Sequence, residues 1–382
     1  MMSTIEFKQM KKILFLTGTR ADFGKIKSLI QILESHQTFE VYVFVTGMHL
    51  QEEYGYTLIE IERCGFRNVH TFENHTHETT MDLTLAKTIE GLSGYVKVVN
   101  PDMIVVHGDR VETLAGAIVG SLNNILVAHI EGGELSGTVD ELIRHSVSKL
   151  SHIHFVSNGD AKKRLMQMGE TEASVYKIGS PDIDIMFSNK LPTLEVVKKY
   201  YEIPFESYAI VMFHPVTTEA AAIQKQASDF VAALLQDTHN YVVIYPNNDL
   251  GSQSIIESYK PLKNNQRFRV FPSLRFEYFL ILLKNAQFMI GNSSAGIREA
   301  PYYGIPIINI GTRQQNRAIH ADIVNVDYDS KSIEVALKNI DRHQVNKITT
   351  DFGKGNSAEL FLETMLSKDI WEINHQKQFR EL

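Results

Sequence analysis

The 382-residue chain is 43% hydrophobic and 22% charged, ordinary usage for folded soluble domains, which excludes disordered and fibrous classes. It is longer than one core usually serves, so two domains are expected. Thirty-eight Lys and Arg face 45 Asp and Glu, a formal charge of −7, so a global basic field for nucleic acid or anionic lipid is missing.

Met1 to Gln9 carry no apolar signal core and read as a frayed extension. No apolar run approaches the roughly 20 residues that span a bilayer. With a single cysteine, Cys64, no internal disulfide can form, so a soluble protein of the reducing cytoplasm, without membrane or nucleic-acid partner, is expected.

Lys12 to Thr17 is an apolar run of strand length. Gly18-Thr19-Arg20-Ala21-Asp22-Phe23-Gly24 follows it, and then Ile26, Leu29, Ile30 and Leu33 recur at helical spacing. The same alternation predicts strands at 41–45, 103–107, 125–130 and 153–156, with helices over 82–99 and 112–122 between them. Alternating strands and helices with short connections imply a parallel sheet covered on both faces. A polar stretch around Lys190, with Pro192 and Pro204, interrupts the series. It resumes at 208–213, 241–245, 268–271, 288–290, 307–310 and 323–326. The expected division is residues 1–185, residues 186–355, and a tail from 356 whose apolar helix face, Leu360, Phe361, Thr364 and Met365, folds back on the first domain.

Candidate chemistry sits where strands end, the usual ligand edge of open α/β sheets. The turn Gly18 to Gly24 offers helix-start amides and the side chains of Arg20 and Asp22. The plain alternative pairs Arg20 with Asp22 in solvent, and the turn lacks both GxGxxG and the lysine of a P-loop. Asp109 and Arg110 follow the run 103–107, and Glu131 follows the run 125–130, in the same register. Two carboxylates on neighbouring strand ends can work opposite faces of a bound ring. Asp140 and Arg144 lie four apart, the spacing of a helical ion pair. His107, His129, His145, His152 and His154 show neither HExxH nor a cysteine partner, and no GxSxG elbow occurs, so no metal site, cofactor or serine nucleophile is expected.

In the second half Gly291-Asn292-Ser293-Ser294-Ala295-Gly296 follows an apolar run and is expected to start a helix whose first amides cradle a pyrophosphate. Glu299 suits the two hydroxyls of a ribose, the alternative being a solvated residue after an N-cap. His214, Arg313 and Arg317 add donors at other strand ends.

The stretches GTRADFGK (from Gly18), HGDR (His107), HIEGGELSGTVDELIRHSVSKLSH (His129), GSPDID (Gly179), FHPVTTE (Phe213), YPNND (Tyr245), GNSSAGIREAP (Gly291) and GTRQQNR (Gly311) resemble, in order, the hydrolysing UDP-N-acetylglucosamine 2-epimerases of bacterial sialic acid biosynthesis. The resemblance implies two Rossmann-like domains facing across a cleft, as in GT-B glycosyltransferases, with UDP mainly on the second. By it Asp109, Glu131 and Asp140 match the catalytic acids. Arg20, Arg110, His214, Asn247, Ser293, Ser294, Glu299 and Arg313 match the UDP-sugar ligands, Asp22 joining them through its turn. His214 also counts as catalytic, because it neutralises the leaving diphosphate. Gly24 departs from the serine of some animal relatives. A homodimer or homotetramer is implied, with the 82–99 helix as one possible interface. The rivals are the same reaction on a UDP-2,4-diacetamido-2,4,6-trideoxyhexose, a glycosyltransferase on the same scaffold, and a UDP-sugar binding protein.

Overall fold

The computed structural model describes residues 10–75, 80–136, 139–314, 323–342, 345 and 349–381. The extension Met1 to Gln9 and Arg317 lie outside them. The chain divides into two compact units. The first comprises Met1–Glu134, Asp140–Ser188 and Asp351–Leu382, and the second comprises Leu135–Val139 and Asn189–Thr350.

The first unit holds seven strands: β1 (Lys11–Thr17), β2 (Phe39–Val45), β3 (Val69–Thr71), β4 (Met103–His107), β5 (Leu126–Ile130), β6 (Ile153–Val156) and β7 (Val175–Lys177). They pair in the order β3-β2-β1-β4-β5-β6-β7, every ladder parallel. Every residue of β4, β5 and β6 is buried, as helices on both faces require. The two edge strands, β3 and β7, are three residues long and partly exposed. Neither stands out in the sequence, because an edge strand with His, Thr or Lys carries no apolar run.

The segment after Asp351 belongs to this unit. Helix Ser357–Leu366 lays Phe361 against Phe155, rings 4.7 Å apart, and against Phe15 at 6.5 Å. Beyond it Lys377 donates to the Ser151 carbonyl (2.7 Å) and to Glu170 Oε2 (2.6 Å), and Arg380 donates to the Glu170 carbonyl (3.0 Å). His375 hydrogen-bonds the Asn124 carbonyl through Nδ1 at 2.6 Å, while its own carbonyl lies 2.9 Å from His152 Nε2. Glu170 is buried and also meets His154 (3.0 Å) and Lys149 (2.9 Å). Burial raises its pKa, but His154 and Lys377 outweigh that and bring it down to about 2.

The second unit holds β8 (Ala209–Met212), β9 (Tyr241–Ile244), β10 (Phe268–Phe271), β11 (Met289–Gly291), β12 (Ile307–Ile310) and β13 (Ile323–Val326), in the order β10-β9-β8-β11-β12-β13. These ladders too are all parallel. Its core packs Phe213, Phe230, Tyr241, Tyr259 and Phe288 with β-branched strand residues. Both sheets therefore reverse their winding beside the first strand: between β1 and β4 in one, between β8 and β11 in the other. Ligands of open α/β sheets bind at the carboxyl ends of strands at that reversal.

Candidate active site

At the end of β1 the chain turns through Gly18 into helix Arg20–Glu34, where Thr19 is the N-cap in a capping box with Asp22. Asp22 faces inward. Its carboxylate accepts from Thr17 Oγ1 (2.5 Å), Gly18 N (3.0 Å) and Thr19 N (3.1 Å). Burial raises its pKa against the lowering effect of those donors. Asp22 is therefore not the solvent partner of Arg20; it fixes the shape of the turn from which Arg20 emerges as the first helical residue. Thr17 Oγ1 also meets His49 Nε2 at 3.0 Å, and burial keeps that imidazole neutral with a pKa of about 3.

Glu131, directly after β5, has φ +64 although it is not glycine. That region costs of order 1–3 kcal/mol and gathers at functional sites. The turn aims the Glu131 carboxylate into a buried group. Ser180 donates to Oε1, His107 Nε2 lies 3.1 Å from Oε2, and Lys25 Nζ lies 3.8 Å from Oε2 and 3.1 Å from buried Asp182. Lys25, Ser180 and Asp182 escape sequence reasoning because they come from distant segments. Their one signal is that all three fall within the motifs GTRADFGK and GSPDID.

Asp109 follows β4 and is bound by Arg144 Nη2. Nη1 of the same guanidinium donates to the Glu131 carbonyl at 2.6 Å. The helical spacing suggests Asp140 as the partner of Arg144, yet the guanidinium reaches from helix Val139–Leu150 to the ends of β4 and β5. Arg144 is only 5% exposed, and its guanidinium clamps the two strand ends across the sheet. Asp140 is buried in the first turn of that helix. His129 Nε2 lies 2.8 Å from the Gly108 carbonyl, tying β5 to the turn that carries Asp109. Burial pushes the His129 pKa well below its ordinary value, so it stays neutral. Arg110 occupies the N-cap position of the next helix, Val111–Leu122, without a capping bond from its side chain.

The second sheet ends differently. Gly291 has φ +138, and a Cβ there would lie 2.0 Å from the Met212 carbonyl oxygen, so only glycine fits beside β8. Asn292 then spans the reversal: its side chain accepts from His214 N (2.6 Å) and donates to His214 O (2.9 Å). Its own carbonyl accepts from Gln314 Nε2 (2.8 Å) and Arg313 Nη1 (3.2 Å). His214 Nδ1 accepts from Asn247 N at 3.0 Å; that network assigns the neutral ring's proton to Nε2. Asn247 Nδ2 reaches Asp249 at 2.5 Å.

Where a helix is expected after Ser294, the chain makes two four-residue pieces, Ala295–Arg298 and Ala300–Tyr303. Pro301 lacks the amide that would continue a helix through them. Only local amides, not a long helix dipole, are offered here. Ser293 is buried, with Ala295 N 3.3 Å from its Oγ, and Ser294 is half-buried. Glu299 is buried rather than solvated. Among the described residues no three His, Cys, Asp or Glu side chains converge as metal ligands would, and no helix is long and apolar enough to cross a membrane.

Two parallel α/β units, each with its polar groups at the strand reversal, define a fold of the GT-B-like kind. A solved structure of UDP-GlcNAc 2-epimerase from Neisseria meningitidis, bound to UDP-GlcNAc, shares that fold with a TM-score of 0.75 at 21% identity, over 93% of this chain and 99% of that one. The profile of the UDP-N-acetylglucosamine 2-epimerase family matches residues 31–366. A UDP-N-acetylglucosamine 2-epimerase of N. meningitidis serogroup B is 47% identical over 98% of this chain and all of its own length. A UDP-N,N'-diacetylbacillosamine 2-epimerase (hydrolyzing) of Legionella pneumophila is 33% identical over 91% of this chain and 94% of its own. The chain belongs to the UDP-N-acetylglucosamine 2-epimerase family.

Proposed function

We propose that this chain is a hydrolysing UDP-N-acetylglucosamine 2-epimerase of the cytoplasm, converting UDP-N-acetylglucosamine and water to N-acetylmannosamine and UDP, a first step toward sialic acids. The observation that carries the reading is the pair Asp109 and Glu131 on adjoining strand ends, tied to one guanidinium, Arg144. Inverting a carbon needs proton-transfer groups on both of its faces, which a lone carboxylate does not supply.

One carboxylate takes the proton from carbon 2. The bond from carbon 1 to UDP breaks with its electron pair leaving on the diphosphate, and 2-acetamidoglucal forms. Water then adds at carbon 1 while a proton is delivered to the opposite face of carbon 2. Asp109 and Glu131 carry the proton transfers, and Asp140 positions the water or shares the second transfer. The diphosphate is already a good leaving group, so His214, Ser293 and Ser294 need only hold it by donating hydrogen bonds and Arg313 neutralise it, with Arg20 and Arg110 as further cations. Glu299 takes the ribose hydroxyls and Asn247 orients His214. Asp22 contributes by shaping the turn under Arg20. The steps are redox-neutral and call for no nicotinamide.

The 47% identity to a relative named for UDP-N-acetylglucosamine favours that sugar. The second reading, the same reaction on a 2,4-diacetamido-2,4,6-trideoxyhexose, is favoured by the 33% identical relative, whose name also carries the hydrolysing mode. The same family reading brings a homodimer or homotetramer, with helix Met81–Val99 and its exposed Leu83 and Val98 as the candidate interface. Light scattering tests that.

A proton NMR time course with UDP-N-acetylglucosamine in deuterated water tests the reaction. Free N-acetylmannosamine carrying deuterium at carbon 2, together with UDP, is expected. Intact UDP-N-acetylmannosamine overturns the hydrolysing mode. An unchanged spectrum, with turnover of the diacetamido substrate, establishes the second reading instead.

A further inference from the structure

One carboxylate near the first strand reversal has no part in the scheme above. Glu112 lies in the first turn of helix Val111–Leu122 and is 2% exposed. Its side chain lies over Gly18, where a Cβ would come within 3.0 Å of both its Cγ and Cδ. Gly47, just past β2, has φ +64, and a Cβ there would be 2.9 Å from Glu112 Oε1. Two glycines at neighbouring strand ends thus vacate the space that this carboxylate fills. Oε2 is buried and accepts no hydrogen bond among the described residues. The cation facing it is Arg110, with Nε 3.9 Å from Oε2 and a side chain 16% exposed.

A helix N-terminus favours an acid in its first turn, but an exposed one there would serve equally. A buried carboxylate is costly unless something needs its charge. We infer that Glu112 is a positioning residue for Arg110. It steadies the guanidinium by its Nε edge, so that the terminal N–H groups face the nucleotide sugar. The inference rests on the reading of Arg110 as a UDP-sugar ligand. Ligand binding pulls the guanidinium and the carboxylate into one hydrogen-bonded arrangement that a neutral side chain cannot copy.

The test uses Glu112→Gln, which keeps the volume over Gly18 and Gly47 and removes only the charge. The readouts are initial rates with UDP-N-acetylglucosamine and calorimetric titration with UDP. KM is expected to rise about ten- to a hundredfold, the worth of a charged hydrogen bond, while kcat stays within a few-fold. In an Arg110→Ala background the same substitution is expected to add nothing. A merely space-filling role would leave E112Q with the KM of the unaltered protein, and an effect that persists in full without Arg110 would equally overturn the inference. Arg110→Lys supplies a check that does not depend on E112Q folding. It keeps the charge but lacks the Nε edge, so it should lose as much affinity as R110A; R110K behaving like the unaltered protein overturns the inference too. Failure of the unaltered protein to bind UDP or turn the sugar over would instead strike the proposed function.

Discussion

The two sheets share one strand order over six strands, the first adding β7 at its edge, and end in opposite chemistry. At the carboxyl edge of the first stand Asp22, Asp109, Glu112 and Glu131: Lys25 lies near Glu131, Arg144 binds Asp109, Arg110 faces Glu112, and Asp22 is held by the donors of its own turn. At the carboxyl edge of the second stand His214, Asn292, Ser293 and Arg313, whose bonds run largely to backbone atoms. The fold dictates where a ligand goes, and the few residues after each strand decide what happens to it. Buried charges that hold one another suit proton transfer; amides and a histidine locked by backbone suit the holding of an anion.

The largest test of that contrast is Glu131→Gln or Asp109→Asn. Turnover should fall roughly 10² to 10⁴, measured as UDP release, while UDP affinity stays within a few-fold. Equal loss of binding and turnover would erase the division between the sheets. Arg144→Met comes next: it strips Asp109 of its cation and the Glu131 carbonyl of its donor. Breaking this part-buried, charged hydrogen bond should cost about 1.5–3 kcal/mol in urea unfolding, and turnover should drop with it. Asn292→Ala removes both bonds to His214 and should cost about 1–3 kcal/mol, with weaker UDP binding and proton exchange at carbon 2 preserved at saturation. A further test lies in pH. Glu170 is held at about 2, below the usual 4.5. Its contribution to stability is therefore full above about 4.5 and is lost as pH falls toward 2. Glu170→Gln should flatten that part of the acid unfolding profile.

Much of the scaffold was legible because strands buried on both faces read as unbroken apolar runs, as at 103–107 and 125–130. The edge strands Val69–Thr71 and Val175–Lys177 lack such runs, and Pro301 divides what reads as one helix after Ser294. At the site, Asp109 and Glu131 stood out because each follows an apolar run; the ladder, which pairs His107 with Ile130, sets Asp109 one residue beyond the level of Glu131. Their partners did not: Lys25 looks like an ordinary helix lysine, Ser180 and Asp182 sit about fifty residues downstream of Glu131, and Arg144 is drawn by spacing toward Asp140. A local rule sees neighbours along the chain, and a parallel sheet makes neighbours of strand ends that the chain visits far apart. The alternative of Asp22 paired with Arg20 in solvent overlooked the capping box of Thr19 and Asp22, which explains why Asp22 turns inward.

The last described segment has a practical consequence. Lys377 and Arg380 are tryptic sites, yet Lys377 has its ammonium tied to the Ser151 carbonyl and to Glu170, and Arg380 is hydrogen-bonded to the Glu170 carbonyl. Both residues are exposed, so a protease reaches the backbone there but has to draw each side chain off these bonds before it can bind it. Clipping of the final residues by trypsin then gauges how firmly these side chains are held, and any handle fused beyond Arg380 has to leave this stitch in place.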